Sequence, residues 1–116
     1  MPSPSAEIGI APARLAEWET EDPTLQVIDV REPYEREAGH IEGSRHIELN
    51  ALSEQAASLD RERPIVFYCR VGARSTMAAQ ALRAAGFEAY SMDGGLVRWA
   101  AEGRALAPEG GRVAEH

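Results

Sequence analysis

The chain has 116 residues with 19 acidic and 12 basic side chains, a net charge of −7, and every basic residue is arginine. That length suits one small domain with a single core, the charge excludes a phosphate-binding nucleic-acid surface, and the lack of lysine excludes lysine-based chemistry. A single cysteine allows no internal disulfide and no resolving thiol, and one cysteine with scattered histidines offers no metal-ligand spacing.

The first six residues, rich in proline and serine, are expected to fray, and residues 7–106 to form the domain. The N-terminus has neither the basic nor the apolar region of a secretory signal, and no apolar run is long enough to span a membrane. A reduced thiol in the cytoplasm is the expected setting. Ile8 to Ile10 reads as a short first strand. Pro12 opens a helix with Leu15 and Trp18 on one face, ended by the acidic stretch before Pro23. Leu25 to Val30 is a second strand. Pro33 starts a helical turn closed by Gly39, and Gly43 to Ile47 is a third strand. Asn50 is placed to cap a helix carrying Leu52, Ala56 and Leu59.

After the charged turn at residues 60–63 comes the most informative stretch, PIVFYCRVGARSTMAAQALRAAG. Ile65 to Tyr68 is an apolar, β-branched and aromatic run bounded by proline, hence a buried strand. From Ser75 onward Met77, Ala78, Ala81, Leu82 and Ala85 recur at helical spacing, with Gly86 at the helix end. A fifth strand follows over Ala89 to Met92, then a helix from Gly94-Gly95 through Trp99. The two glycines and Trp99 read as packing residues. The Gly-, Pro- and Glu-rich tail, residues 107–116, predicts no fixed structure. Strands alternating with helices favour a parallel sheet with right-handed crossovers.

Between the fourth strand and its helix lies Cys69-Arg70-Val71-Gly72-Ala73-Arg74. Backbone N–H groups of a tight loop, followed by a helix N-terminus, favour an anion. With Arg70 and Arg74 flanking, they favour thiolate over thiol at Cys69. Gly72 permits a φ that turns these groups inward. Arg74 is a planar fork suited to an oxyanion. Ser75 is placed to donate to a bound anion or to cap the helix. The competing reading, Cys69 as a small buried hydrophobe, sits poorly with two arginines and a glycine in five residues.

IDVREPYEREAGHIEGS, IVFYCRVGARS and MDGGLVRW, in that order over residues 24–106, resemble the single-domain rhodaneses, a sulfurtransferase family. The resemblance implies an open α/β fold, a parallel sheet of about five strands with helices on both faces. It implies that Cys69 takes a sulfane sulfur from a small anionic donor such as thiosulfate, holds it as a persulfide and passes it to a thiol, cyanide or protein thiol. No cofactor is implied. Arg70, Val71, Gly72, Ala73, Arg74 and Ser75 would surround the donor. Asp29 and Arg31 match a pair beside the loop, with Asp29 as structural support. For Arg31 a substrate contact and an internal ion pair are both open, and it joins the substrate-binding set. His40 matches a signature position and reads as a packing histidine. Glu42, Arg45 and Glu48 depart from the family's proline and apolar choices, away from the loop.

Two other activities compete. Cysteine phosphatases and arsenate reductases of the same fold have a loop one residue longer, usually with histidine before the cysteine, whereas Tyr68 stands here. Non-catalytic interaction modules of the family typically lose the cysteine. A six-residue loop that keeps its cysteine and arginines favours sulfur transfer.

Overall fold

The computed structural model describes residues 7–115. The expectation of a frayed segment over residues 1–6 lies outside them. Five parallel strands form one sheet: β1 (Gly9–Ile10), β2 (Gln26–Asp29), β3 (Arg45–His46), β4 (Ile65–Tyr68) and β5 (Ala89–Met92), in the order β1-β5-β4-β2-β3. Helices α1 (Pro12–Glu21) and α5 (Gly95–Ala101) pack on one face, α3 (Leu52–Gln55) and α4 (Ala73–Ala84) on the other, while α2 (Pro33–Ala38) links β2 to β3. The expected open α/β fold is therefore present.

β4 lies at the centre, buried along its whole length, which is why it reads as an unbroken apolar run. Alternation divides its side chains. Ile65, Phe67 and Cys69 belong to the core beneath α3 and α4, whereas Val66 and Tyr68 join Leu15, Leu96 and Trp99 beneath α1 and α5. β2 and β4 pair in register from Gln26–Ile65 to Asp29–Tyr68, so they end level. β4 continues to β5 on one side and β2 to β3 on the other. The residues after β2 and β4 thus flank the point where strand order reverses, where open α/β sheets hold ligands.

Three local expectations are corrected. Asn50 does not cap one continuous helix: residues 49–58 form a 3₁₀ turn, the short α3 and a second 3₁₀ turn, with no side-chain cap. Ser58 donates its hydroxyl to the Gln55 carbonyl at 2.6 Å, a local bond that competes with helix continuation. Helix α4 begins at Ala73, and its N-cap position is Gly72 at φ 110°, so Ser75 lies inside the first turn and does not cap. The tail is the largest correction. Residues 107–115 follow a defined path: Ala107 and His40 exchange backbone hydrogen bonds of 2.8 and 2.9 Å, Arg112 N–H donates to the Ala38 carbonyl at 2.8 Å, and Ala114 is buried. Val113 and Leu106 supply the apolar contacts that composition obscured. Gly39 takes extended backbone, φ 173°, with no room for a side chain because the Arg112 backbone passes there.

Candidate active site

The apolar run of β4 stops at Cys69, and the backbone must reverse into α4 within three residues. Gly72 makes the turn in the left-handed region, which a Cβ would strain. The first turn of α5 then pins the loop from below. Leu96 N–H donates to the Cys69 carbonyl at 2.8 Å and Val97 N–H to the Arg70 carbonyl at 3.0 Å. With these carbonyls drawn toward α5, loop N–H groups remain for the sulfur. Gly95, at φ 60°, makes the approach possible: a Cβ there would stand 2.6 Å from Val71 N and collide with the Arg70 carbonyl. The glycine read as a packing residue shapes the loop.

Cys69 is 1% exposed. Its Sγ accepts from Gly72 N–H at 3.1 Å and from Ser75 N–H at 3.4 Å, and the Ser75 hydroxyl lies 3.4 Å away. Gly72 N–H and Ser75 N–H thus converge on the sulfur, one from the loop and one from the first turn of α4. Above it, Val71 is about half exposed. A cleft of about 230 Å³ lies beside the helix start, lined by Val30, Glu32, Glu48, Leu49, Asn50 and Arg74. Larger cavities of about 460 and 360 Å³ lie elsewhere and contain no residue of the loop. Among the described residues no group of three or more His, Cys, Asp or Glu could hold a metal ion.

The two loop arginines differ. Arg74 gives its fork to Glu35 on α2, Nη1 to Oε1 at 2.7 Å and Nη2 to Oε2 at 2.9 Å. This contact raises the guanidinium above its ordinary value. Burial by itself would push the Glu35 carboxyl up, but Arg74 and a backbone hydrogen bond from Glu35's own helix turn outweigh it and hold the carboxyl below its ordinary range. Glu35 was missed in the sequence. Its signal was the Glu-x-x-Glu pattern at the start of α2, where Glu32 and Glu35 form a reciprocal capping box. Arg70 has no ion-pair partner among the described residues, and its Nε donates to the Ala114 carbonyl at 3.1 Å.

Arg31 does not stand among the groups open to a donor. It is fully buried and bonded to Asp29 through Nε and Nη2, both at 2.8 Å, while Nη2 also reaches the Gly39 carbonyl at 2.7 Å. Burial alone would lower its guanidinium; the Asp29 carboxylate reverses this and raises it. The guanidinium lies over the Tyr68 ring, 5.6 Å from its centroid. Arg36 adds a second cation to Asp29 at 3.3 Å. Of the two readings open for Arg31, the geometry carries the internal ion pair, with Asp29 as its support. Tyr68, buried and next to Asp29, has its phenol pushed up to about 12 and bonds the Ile41 N–H and the Ser44 hydroxyl. Both contacts hold the β2–β3 connection against the sheet. His40 is likewise a packing residue, its Nδ1 3.1 Å from the Arg36 carbonyl.

An open parallel sheet with a lone cysteine in an N–H-lined loop at its switch point defines a thiol-centred α/β protein. Residues 11–102 match the Rhodanese-like domain, and the chain belongs to that family. It is 44% identical over 75 residues to the uncharacterized protein YqhL of Bacillus subtilis, covering 64% of this chain and 60% of YqhL. It is 40% identical over 75 residues to the thiosulfate sulfurtransferase GlpE of Pseudomonas aeruginosa, covering 64% of this chain and 68% of GlpE. A rhodanese-related protein of Thermoplasma volcanium superposes with a TM-score of 0.79 at 31% identity, over 85% of this chain and 96% of that one. The chain thus spans less than two thirds of the length of YqhL.

Proposed function

We propose that this protein is a sulfurtransferase that moves a sulfane sulfur from thiosulfate to a thiophilic acceptor through a persulfide on Cys69. The observation that carries the reading is the convergence of Gly72 N–H and Ser75 N–H on Sγ. These donors stabilise a sulfur anion at the loop centre. In the first step the Cys69 thiolate attacks the outer sulfur of thiosulfate. The new S–S bond forms as the old one breaks, and its electron pair leaves with sulfite. In the second, the acceptor nucleophile, cyanide carbon or a thiolate sulfur, attacks the outer persulfide sulfur, and the electron pair of the broken S–S bond returns to Sγ. The acceptor is cyanide, a small thiol or a protein thiol, because no second cysteine exists in the chain. A lone thiol carrier suits the reducing cytoplasm.

Arg70 supplies the positive charge for the incoming dianion, since Arg74 is committed to Glu35. Val71, Gly72, Ala73 and Ser75 frame the donor, with Arg74 closing the loop. Arg31 contributes only through the segment it braces. The phosphatase or arsenate reductase alternative calls for a loop one residue longer than the six residues from Cys69 to Arg74. The non-catalytic alternative leaves the buried cysteine and its donors without a purpose.

Intact-mass measurement after incubation with thiosulfate tests the reading. One added sulfur on the wild-type chain, removed by cyanide and absent from Cys69→Ser, is the expected result. Failure of wild type to gain this mass would overturn the persulfide mechanism.

A further inference from the structure

We propose that Ser91 is a positioning residue for the sulfur chemistry, fixing the Ser75 hydroxyl as a hydrogen-bond donor toward Cys69 Sγ; the proposal builds on the sulfur-transfer reading. Ser91 lies on β5 and is 2% exposed, and Ser75 on α4 is fully buried. The strand alternates so that Ser91 shares with Ala89 the face packed against α4, a position where an apolar side chain would be expected. Instead its Oγ is 2.7 Å from the Ser75 Oγ and 3.3 Å from the Thr76 Oγ1.

Counting protons gives this chain a direction. Each hydroxyl has one proton to donate. Thr76 spends its proton on the Gly72 carbonyl at 2.7 Å. The nearest acceptor for the Ser91 proton is then Ser75 Oγ. Ser75, one lone pair occupied by Ser91, has two outlets, the Gly72 carbonyl at 3.2 Å and Sγ at 3.4 Å. That carbonyl already accepts from the Thr76 N–H at 3.0 Å and the Thr76 hydroxyl, which leaves Sγ. In the opposite orientation Ser75 would donate to Ser91 and turn lone pairs toward the sulfur, which repels an anion. With Ser91 donating, a thiolate at Cys69 accepts from three groups: Gly72 N–H, Ser75 N–H and Ser75 O–H. That anion is both the attacking nucleophile and the group released when the acceptor takes the outer sulfur.

The charged and titratable groups on the surrounding elements are Arg70 in the loop, Arg74 on α4 with Glu35 of α2, Asp29, Arg31 and Tyr68 at the ends of β2 and β4, Asp93 after β5, and Arg98 on α5. None of the hydrogen bonds of Ser91 involves a charged group. Replacing it therefore leaves every charge near the sulfur in place and alters only the hydroxyl chain.

The test is the pH profile of Cys69 alkylation by iodoacetamide on the full chain, which needs no sulfur donor and so stands apart from the transfer reading. In Ser91→Ala the midpoint should rise by about half to one pH unit, the size expected for a hydrogen bond of ordinary net strength, since the Ser75–Sγ contact is long. The pH-independent rate should stay within about twofold of wild type, since access to the sulfur is unchanged. The same substitution in a Ser75→Ala background should add no further shift, because Ser91 acts only through that hydroxyl. Comparing Ser91→Thr with the isosteric Ser91→Val separates hydroxyl from volume should the alanine variant fold poorly: Thr should keep the wild-type midpoint and Val should raise it. An unchanged midpoint in both Ser91→Ala and Ser91→Val, or a shift that persists without the Ser75 hydroxyl, would overturn the proposal.

Discussion

Arg74 and Glu35 meet through two parallel hydrogen bonds of 2.7 and 2.9 Å, joining the first turn of α4 to the first turn of α2. The Glu35 side chain is 1% exposed and that of Arg74 26%, so the contact lies at the inner edge of the cleft. An arginine that sequence alone casts as an anion-binding fork is thereby given a carboxylate from its own chain. It anchors the end of the cysteine loop.

Removing either partner strands a charge. Arg74→Ala leaves the buried Glu35 carboxylate uncompensated and should cost about 2–4 kcal/mol of stability, somewhat below a fully buried pair because Arg74 reaches solvent. Urea unfolding of Arg74→Ala, Glu35→Ala and the double variant checks this. The double variant should lose less than the sum of the singles. Strict additivity would show that the pair is not coupled.

The same pair makes the fold acid-sensitive. The Glu35 carboxyl is held below its ordinary value of 4.5 in the folded chain, so folding favours its ionised form. That stability is fully present above about 4.5, the unfolded value, and is lost as pH falls through the lower folded value. Between pH 5 and pH 3 Glu35→Gln should therefore lose less stability than wild type, although it starts from a lower level. Parallel pH dependence of the two thermal midpoints would exclude Glu35 as a contributor.

In the proposed reaction Arg70 meets the donor dianion, and the tail holds its side chain through the Ala114 carbonyl. Arg70→Ala should raise KM for thiosulfate by about tenfold, the scale of one charged hydrogen bond, with kcat changing less than threefold. A chain ending at Gly111, without the Arg112 contact to Ala38, should shift KM in the same direction by a smaller factor. Steady-state kinetics with cyanide as acceptor reads both. A fall in kcat at unchanged KM would assign Arg70 to the transfer step instead of donor binding.

Gly95 combines a left-handed backbone with a Cβ position that the loop backbone already fills. Alanine there requires a left-handed residue at φ 60° and places its Cβ against the backbone of Arg70 and Val71. The conformation alone costs about 1–2 kcal/mol. The steric contact must further displace the loop from α5. Gly95→Ala should therefore lower the thermal midpoint and slow sulfur transfer together, whereas Gly103→Ala, also at positive φ but in open space, should lower the midpoint alone. Retention of full activity by Gly95→Ala would show that α5 does not pin the loop.

The elements around Cys69 were legible because their causes are local. An apolar run bounded by Pro64, a glycine three residues after the cysteine and helical spacing from Met77 to Ala85 are statements about neighbours in the chain. They suffice to place a thiol at a helix start. Alternating strands and helices likewise suffice for a parallel sheet. What only the tertiary structure decided are the side-chain partners. Glu35 and Arg74 are 39 residues apart, Arg70 and Ala114 are 44 apart, and Ser75 and Ser91 are 16 apart. Their meeting depends on β4 lying between β2 and β5. Arg31 and Arg74 are the same residue type, each close to an acidic residue or the cysteine in sequence. Strand order buries the first against Asp29 and Tyr68 and sets the second at a cleft edge. The ordered tail has the same origin: its polar composition gives no periodic signal, and its hold comes from backbone bonds to Ala38 and His40 that exist only once the sheet has brought α2 beside it.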